Sequence, residues 1–372
     1  MPGWGKLVWL FQEWQEKRLS DIADLSKGIG ISKDQLSADG EPCILYGELY
    51  TKYKSETIKE VISKTNIDNT KLVKSKANDV IIPCSGETAE EIATARCVLK
   101  DDILLGGDLN IIRLHGYDGS FMSYQLNGKR KYDIAKVAQG VSVVHLYGEH
   151  LKNIKTINPS LNEQKKIANL LSLLDERIST QNKIIDKLQS LIKGIRYDIF
   201  NDIQGEELAL SNIADIYQPQ TISSSDLTTE GYWVYGANGI IGKYKEYNHE
   251  TEQICITCRG NTCGTVNYTQ PKVWITGNSM VINTDKYQRQ VNKRFLFHYL
   301  SSYNFNSIVS GSGQPQIVRT PLEKIKVVLP TIEKQVRIAN SIDIVSEKID
   351  TESLVLRLLE NQKQYLLRQM FI

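Results

Sequence analysis

The sequence contains an internal repeat, which constrains its fold more than any other feature. Residues 151–155 (LKNIK) are similar to residues 322–326 (LEKIK), and the same offset of 171 residues continues without a gap for about 50 positions. A second pair of segments, 19–24 and 210–215, is displaced by 191 residues. Because the two offsets differ, the stretches between the matched segments differ in length. The chain is therefore predicted to consist of a variable segment and a shared segment, repeated once.

The shared segments are predicted to form long coiled-coil helices. Between Glu163 and Asn201 there is no proline and a single glycine, and the apolar residues recur in alternating steps of four and three. The polar residue Gln181 interrupts this seam. The second copy is interrupted at Glu352, the position equivalent to Gln181, and at Lys363. The seam positions that we expect to form the helical partner interface are Ile167, Leu171, Leu174, Ile178, Ile185 and Leu188 in the first copy and Ile338, Ile342, Val345, Ile349, Leu356 and Leu359 in the second.

A single apolar seam of this length needs a partner, and the other copy is the simplest one. A helix of about 40 residues is about 58 Å long. We expect the two helices to pack antiparallel, which would relate the variable segments by an approximate two-fold axis and hold them at a fixed separation. Equivalent groove faces of duplex DNA recur about every 34 Å, so DNA is a natural target for such an arrangement.

The variable segments are predicted to be mixed α/β domains. Strand-like runs occur at 79–83 and 109–114 in the first segment and at 253–257 and 279–283 in the second. The predicted fold class is therefore α/β (α+β), with two mixed α/β domains joined by two long antiparallel coiled-coil helices. The predicted segments are 1–157 for the first variable domain, 158–204 for the central helical region, 205–328 for the second variable domain and 329–372 for the C-terminal helical region.

The overall composition does not identify a partner. Lysine and arginine number 45 and aspartate and glutamate 43, so the formal net charge of +2 does not by itself indicate nucleic acid. The most apolar early run, residues 7–11, is far shorter than the roughly 20 residues that cross a bilayer. Six cysteines are ordinary for a reduced compartment. We therefore expect a cytoplasmic protein with no membrane partner.

Motifs for catalysis or metal binding are incomplete. Cys255, Cys258 and Cys263 have a spacing that could hold zinc, but strand alternation would point Cys255 and Cys258 to opposite faces. The glycine-rich run 236–243 fails as a phosphate loop because its glycines are one residue too far apart and Tyr244 replaces the required Ser or Thr. No catalytic residue, metal site or cofactor of the chain's own is predicted.

Several short clusters have side chains suited to nucleic acid. Basic residues lie at 129–131 in the first variable segment and at 286–294 in the second. Arg259 precedes Gly260, and residues 314–316 place two glutamines around a proline. Arginine and glutamine can bond base edges bidentately, and lysine can neutralise phosphate. Each cluster taken alone is also compatible with an ordinary solvated surface.

The order of these features resembles the specificity (S) subunit of a Type I restriction–modification system, over nearly the whole chain. The two motifs at the start of the long helices read Pro159-x4-Gln164-x2-Ile167-Ala168 and Pro330-x4-Gln335-x2-Ile338-Ala339. The further segments that carry the resemblance are 11–14 with 19–23, 85–88, 106–108, 139–146 with 151–154, 234–242, 259–260 with Gly264, and 312–315. Residues 1–10 and the cysteines around Arg259 depart from the family pattern.

The resemblance implies a non-catalytic subunit that reads a bipartite, asymmetric site on double-stranded DNA. Two target-recognition domains would each read one half-site, and the helices would fix the spacer between the halves. Two modification (methyltransferase) subunits and two restriction (motor-nuclease) subunits are the implied partners. S-adenosylmethionine, ATP and Mg²⁺ would belong to those partners, so no cofactor is expected on this chain.

The residues expected to contact DNA are distributed over both variable segments. They are Ser85, Gly86, Thr88, Lys129, Arg130 and Lys131 in the first, and Tyr235, Asn238, Arg259, Asn278, Ser312, Gln314 and Gln316 in the second. Two alternatives stay open from the sequence: a structural adaptor whose domains bind proteins, and a zinc-dependent enzyme that uses the three cysteines.

Overall fold

The computed structural model describes residues 14–140, 143–311 and 313–371. These residues form two compact units. Unit 1 contains the residues up to Asn182 together with those from Leu354 onward, and unit 2 is Lys183–Ser353. Each unit therefore combines one variable domain, called a head below, with part of both long helices. The predicted segments 1–157, 158–204, 205–328 and 329–372 are a different division, based on the repeat, and they stay predictions.

The head of unit 1 is built from two five-stranded sheets and several short helices. Its strands are β1 Gln15–Arg18, β2 Ala23–Lys27, β3 Leu36–Ser37, β4 Glu41–Ile44, β5 Thr57–Ile58, β6 Ser63–Thr65, β7 Val73–Lys74, β8 Asp79–Pro83, β9 Ser85–Gly86, β10 Arg96–Val98, β11 Leu104–Leu105, β12 Leu109–Leu114, β13 Val144–His145 and β14 Lys155–Asn158. One five-stranded sheet has the order β2-β12-β8-β10-β5 and the other β3-β6-β4-β11-β7. The helices of this head are α1 Leu19–Ile22, α2 Glu48–Thr51, α3 Ala89–Ile92, α4 Gly119–Asn127, α5 Lys131–Lys136 and α6 Gly148–Lys152.

Unit 2 repeats this plan with fewer strands. Its strands are β15 Glu206–Ala209, β16 Asp215–Tyr217, β17 Tyr232–Gly236, β18 Gly239–Tyr244, β19 Ile254–Thr257, β20 Val266–Tyr268, β21 Trp274–Ile275, β22 Ser279–Asn283 and β23 Lys326–Leu329. Its two larger sheets have the orders β16-β22-β19-β20 and β18-β17-β21. Helices α8 Lys293–Ser302 and α9 Arg319–Glu323 complete the head. The strand-like runs predicted from the sequence correspond to β8, β12, β19 and β22.

Two long helices, α7 Leu161–Asn201 and α10 Ile332–Gln369, extend through both units. In unit 1 the start of α7 packs against the end of α10, where Ile167 and Leu171 share a core with Leu367. In unit 2 Phe200, near the end of α7, packs on the core that contains Ala339, near the start of α10. Within each unit the pairing is therefore antiparallel. The prediction of two mixed α/β domains with antiparallel coiled-coil helices is confirmed.

The predicted seam positions all lie on the inner face of these helices. Five of the twelve are buried, namely Ile167, Leu171, Ile185, Ile342 and Leu359. The other seven, Leu174, Ile178, Leu188, Ile338, Val345, Ile349 and Leu356, are partly buried. The polar interruption Gln181 is itself buried. The heptad pattern thus marks the packed face, as expected for a stripe that recurs every 3.5 residues.

The repeat is visible in individual hydrogen bonds. In unit 1 the backbone N–H of Leu19 donates to the carbonyl of Ile154 at 3.0 Å, and in unit 2 that of Leu210 donates to Ile325 at 2.8 Å. These bonds tie the short segment that opens each head to the strand that leads into its long helix. Similarity at two different sequence offsets therefore reflects one repeated structure. None of the described helices is long and apolar enough to cross a membrane.

Candidate nucleic-acid interface

The loop after β19 places Arg259 at an exposed edge of the second head. The backbone N–H of Cys258 donates to the carbonyl of Asn278 at 3.0 Å, and the carbonyl of Cys258 accepts from the N–H of Ile317 at 3.0 Å. Cys258 is buried, and Arg259 directly after it is exposed. The backbone is therefore fixed directly before the residue that presents its guanidinium to solvent.

The segment after Ser310 lies alongside this loop. Arg259 forms an antiparallel bridge with Gln316, and the N–H of Gly260 donates to the carbonyl of Pro315 at 2.9 Å. The side chains of Gln314 and Gln316 are exposed. Three side chains that suit base edges thus lie on two adjacent loops. The candidate Ser312 lies outside the described residues.

The hairpin between β17 and β18 brings a further candidate to the same edge. The hydroxyl of Thr257 donates to the carbonyl of Ala237, and that of Ser279 donates to the carbonyl of Gly236 at 3.3 Å. These bonds hold the hairpin tip, which contains the exposed Asn238, against the last residue of β19 and the first residue of β22. We call Asn238, Arg259, Asn278, Gln314 and Gln316 the second edge.

Two of the loops at the second edge depend on glycine. Gly239 has φ +92° and Gly260 has φ +84°, in the left-handed region that L side chains rarely adopt. A Cβ at either position would meet no atom within 4 Å, so the space beside both loops is open. The backbone at these points can therefore approach a ligand closely.

Tyr235 has a different position from the other candidates of the second head. Its side chain is only 8% exposed and packs with Cys255, Val273 and Val281. Burial raises the pKa of its hydroxyl. Tyr235 therefore packs in the core that supports the hairpin, and its side chain is not part of the exposed surface.

The first head contains the same backbone arrangement. The N–H of Cys84 donates to the carbonyl of Asp108 at 2.7 Å, and the carbonyl of Cys84 accepts from Leu146 at 2.7 Å. Ser85 pairs with His145, just as Arg259 pairs with Gln316. The sequences Cys84-Ser85-Gly86 and Cys258-Arg259-Gly260 are therefore structurally equivalent.

Because the two loops are equivalent, the first head has a surface that corresponds to the second edge. By position, Ser85 corresponds to Arg259, Asp108 to Asn278, and His145 to Gln316. The Ser85 side chain is 7% exposed and its hydroxyl donates to Asp108 Oδ2 at 3.2 Å, whereas His145 is exposed. Thr88 is exposed and caps helix α3 by accepting from the N–H of Glu91 at 3.2 Å.

Four residues near Ser85, namely Asp108, His145, Tyr147 and Lys27, were not among the DNA contacts predicted from the sequence. The ring of His145 stacks on that of Tyr147 with centroids 6.2 Å apart, and Lys27 Nζ lies 5.7 Å from the Tyr147 centroid. Tyr147 is 45% exposed. We call Ser85, Asp108, His145, Tyr147 and Lys27 the first edge. The Cys-x-Gly triplet that the two heads share is the sequence feature from which the first edge could have been located.

The basic run at 129–131 is partly occupied by internal contacts. Lys129 is exposed. Arg130 Nη1 lies 3.3 Å from Asp133 Oδ2. Lys131 is half-buried. Its pKa is lowered by this burial and, to a lesser extent, by repulsion from Arg96. Of the three side chains, Lys129 is the one best placed to meet a phosphate.

The basic cluster of the second head is neutralised largely within unit 2. Lys286 Nζ lies 2.7 Å from Asp215, and Lys293 Nζ lies 2.6 Å from Asp285. Arg294 forms an ion pair with Asp343 and lies over the ring of Tyr268, 4.4 Å from its centroid. These three cations are therefore paired with acidic residues of unit 2, whereas Arg259 is the cation of the second edge.

The cysteine cluster does not come together as a metal site. Cys255 packs in one apolar core and Cys258 in another, on opposite faces of β19, as strand alternation predicts. Burial raises the pKa of both thiols, which favours the neutral form. Among the residues that the structure describes, no group of three or more His, Cys, Asp or Glu side chains is placed to hold a metal ion.

Comparison with known proteins identifies relatives for nearly the whole chain. A family model described as the Type I restriction modification DNA specificity domain matches residues 12–190 and 204–361. The specificity subunit of the Type I restriction enzyme MjaVIII from Methanocaldococcus jannaschii is 25% identical over 389 residues, which cover 91% of this chain and 87% of that protein.

Two further relatives agree with this match. The specificity subunit of the Type I restriction enzyme EcoprrI from Escherichia coli is 29% identical over 156 residues, which span 41% of this chain and 37% of that protein. The crystal structure of the Type I restriction–modification S subunit from M. genitalium superimposes with a TM-score of 0.67 over 96% of both chains, at 19% identity. That structure shows a shared fold. Neither the adaptor nor the zinc enzyme is supported by these relatives.

Proposed function

Because the chain belongs to the family of Type I restriction modification DNA specificity domains, we propose that its first and second edges each read one half of a bipartite site on double-stranded DNA. The observation that carries this proposal is the duplicated backbone arrangement around Cys84 and Cys258. Each head holds one loop residue, Ser85 or Arg259, between two neighbouring loops by equivalent hydrogen bonds. Such a fixed frame can present different side chains without changing the backbone.

The two edges offer different base-reading chemistry. On the second edge, Arg259 can donate two bonds to guanine, and the amides of Asn278, Gln314 and Gln316 can bond adenine bidentately. On the first edge, Asp108 can accept from the amino group of cytosine. Lys27 and Lys129 supply positive charge near phosphate. Two heads with the same frame and different side chains account for a site whose halves differ.

The remaining chemistry of the system is assigned to partner subunits. Two modification subunits would dock on the helical regions and bring S-adenosylmethionine for adenine methylation, and two restriction subunits would bring ATP and Mg²⁺ for translocation and cleavage. Partners that close around the duplex would also supply phosphate contacts, which fits a chain with a net charge of only +2.

The proposal is tested by sequencing the methylated bases of a host strain with and without this gene. We expect one bipartite N6-methyladenine motif to disappear when the gene is deleted. Reintroducing the gene together with its methyltransferase subunit should restore that motif. If the set of methylated sites is the same in both strains and the reconstituted complex binds duplex DNA without sequence preference, the proposal is wrong.

A substitution at Arg259 tests the second edge directly. Removing a side chain that reads one base should cost about 1–3 kcal/mol at that position and leave the other half-site unchanged. We therefore expect Arg259→Ala to relax the motif at one or two positions of one half-site. Arg319→Ala is the matched control, because Arg319 is also exposed but is paired with Glu323. An unchanged motif and affinity in the Arg259 variant would remove this residue from the interface.

A further inference from the structure

The hairpin of the second head carries two adjacent exposed isoleucines. Tyr235 pairs with Ile240 and Val234 pairs with Gly242, so Ile241 is an additional residue in β18. Such a β-bulge bends a strand and redirects side chains that would otherwise alternate between faces. Ile240 is 47% exposed and Ile241 is 49% exposed.

The local sequence maintains this arrangement. A Cβ at Gly236 would lie 2.8 Å from Cγ2 of Ile241, so glycine makes room for the Ile241 side chain. β18 is also one of the two edge strands of its three-stranded sheet. Exposed apolar residues on an edge strand favour unwanted association, so their presence calls for an occupant that covers them.

The position of the pair indicates what that occupant is. The hairpin tip is bonded through Ala237 to Thr257, two residues before Arg259 on the second edge. On the same hairpin, Lys243 Nζ lies 4.7 Å from the ring centroid of Trp233. An apolar pair that adjoins base-reading side chains and carries a cation nearby is complementary to a DNA groove with its flanking phosphates.

We propose that Ile240 and Ile241 contact the 5-methyl group of a thymine in the major groove of the second half-site. The methyl group is the apolar feature that distinguishes thymine there, and apolar side chains recognise it by contact. This inference rests on the proposed function and adds to it: the second half-site contains a thymine that is read by its methyl group.

The experiment uses the complex of the full chain with its methyltransferase subunit. The second half-site is identified as the half that the Arg259→Ala substitution relaxes. Duplexes are then prepared in which each thymine of that half-site is replaced, one at a time, by uracil, which lacks the methyl group and pairs identically. Dissociation constants are measured for the wild type and for the double variant Ile240→Ala, Ile241→Ala.

We expect one uracil substitution to weaken wild-type binding about fourfold, the effect of one buried methyl group. The double variant should bind the thymine duplex more weakly than the wild type and should not distinguish thymine from uracil at that position. Ile62→Ala is the control, because Ile62 is an exposed isoleucine of the first head. This variant should keep the wild-type discrimination.

Three results would overturn the inference. They are a second half-site without thymine, a wild type that binds every uracil duplex as tightly as the thymine duplex, and a double variant that still distinguishes the two. A double variant that no longer assembles with the methyltransferase subunit would assign the isoleucine pair to a protein interface, which also contradicts the inference. If the wild-type complex shows no sequence preference at all, the proposed function itself has failed.

Discussion

At the scale of single residues, a buried lysine explains one irregularity of the helical seam. Lys363 interrupts the apolar pattern of α10 and is buried. Its Nζ lies 2.5 Å from Glu56 of the head and 2.6 Å from Asp175 of α7. The hydroxyl of Tyr124 donates to the same Asp175 at 2.7 Å. The cluster therefore joins the head of unit 1 to both helices.

Replacing Lys363 by methionine should destabilise unit 1. The substitution leaves Glu56 and Asp175 buried without their cation, and breaking a buried pair in this way costs about 3–5 kcal/mol. Burial already raises the pKa of Glu56. We expect the triple variant Glu56→Gln, Asp175→Asn, Lys363→Met to regain most of the loss, as measured by urea unfolding. Lys155→Met is the control, because the Lys155–Glu16 pair is exposed and screened by solvent, so its loss should leave the free energy of unfolding nearly unchanged.

A second polar cluster in unit 2 is built around a neutral histidine. Nδ1 of His298 lies 2.9 Å from Nη2 of Arg196, and Nε2 lies 2.8 Å from Oδ1 of Asp343. Arg196 can only donate, so Nδ1 accepts and the proton is on Nε2. Burial lowers the pKa of His298 to about 4, although the bond to Asp343 opposes this. Burial likewise lowers the pKa of His249 to about 4.

Because of these two histidines, the free energy of unfolding of unit 2 should decrease in mild acid. Their pKa values in the folded state are about 4, below the ordinary value of 6.5, so the unfolded chain binds more protons between these values. Stability is fully present above pH 6.5 and falls as the pH is lowered towards 4, by about 1.4 kcal/mol per pH unit for each histidine. Urea unfolding at several pH values should show a smaller decline for His298→Gln than for the wild type. His115→Gln, an exposed position of unit 1, should leave the decline unchanged.

At the scale of elements, each head is connected to its long helix by one glutamine. The amide oxygen of Gln164 accepts from the N–H of Asp118, the cap of α4, at 2.9 Å, and its amide nitrogen donates to the carbonyl of Pro159 at 2.8 Å. Gln335 makes the equivalent bonds to Asn292 at 2.8 Å and Pro330 at 2.9 Å. This function explains why a proline and a glutamine recur at the same spacing at the start of both helices.

Removal of either glutamine should weaken the junction in its own unit. Gln164→Ala and Gln335→Ala each leave a partly buried N–H and a buried proline carbonyl without their glutamine partner, which costs about 1–3 kcal/mol. The loss should be at least as large for Gln335→Ala, because Gln335 also donates to the carbonyl of Gln290 at 2.9 Å. Asn169→Ala, at an exposed position of α7, is the matched control. Hydrogen exchange of the first turns of α4 and α8 would report the loss locally. Protection that is the same in the variant and the wild type would show that the glutamines do not hold the junction.

The elements that the sequence predicted best are those governed by local periodicity. The α7 seam could be read from apolar spacing because burial of one helix face imposes that spacing directly. The interruption at Lys363 was also visible, but its partner Glu56 lies 307 residues away, and nothing local indicates such a pair. Similarly, Lys293 and Arg294 looked like a basic surface, whereas Asp285 and Asp343 neutralise them.

At the scale of the whole molecule, the repeat predicted the architecture but not the equivalence of the two edges. Cys84-Ser85-Gly86 and Cys258-Arg259-Gly260 lie at an offset of 174 residues, different from both offsets of the shared segments. The variable domains differ in length, and their strands agree in arrangement more than in sequence. The equivalence follows from paired backbone hydrogen bonds, which a single sequence does not display.

The length of the two helices is expected to set the length of the spacer between the two half-sites. Inserting one heptad between Asn182 and Lys183 and another between Ser353 and Leu354 keeps the apolar seam in phase in both helices. Each insertion adds about 10 Å of helix, so the unspecified spacer of the methylated site should lengthen by about three base pairs. Both half-sites should stay as in the wild type, because neither edge is changed. Methylome sequencing reports the spacer and both half-sites in one measurement.

A single-helix insertion, which disrupts the pairing of the two helices, is the control and should abolish methylation. A functional double insertion with an unchanged spacer would show that the helices do not set the distance.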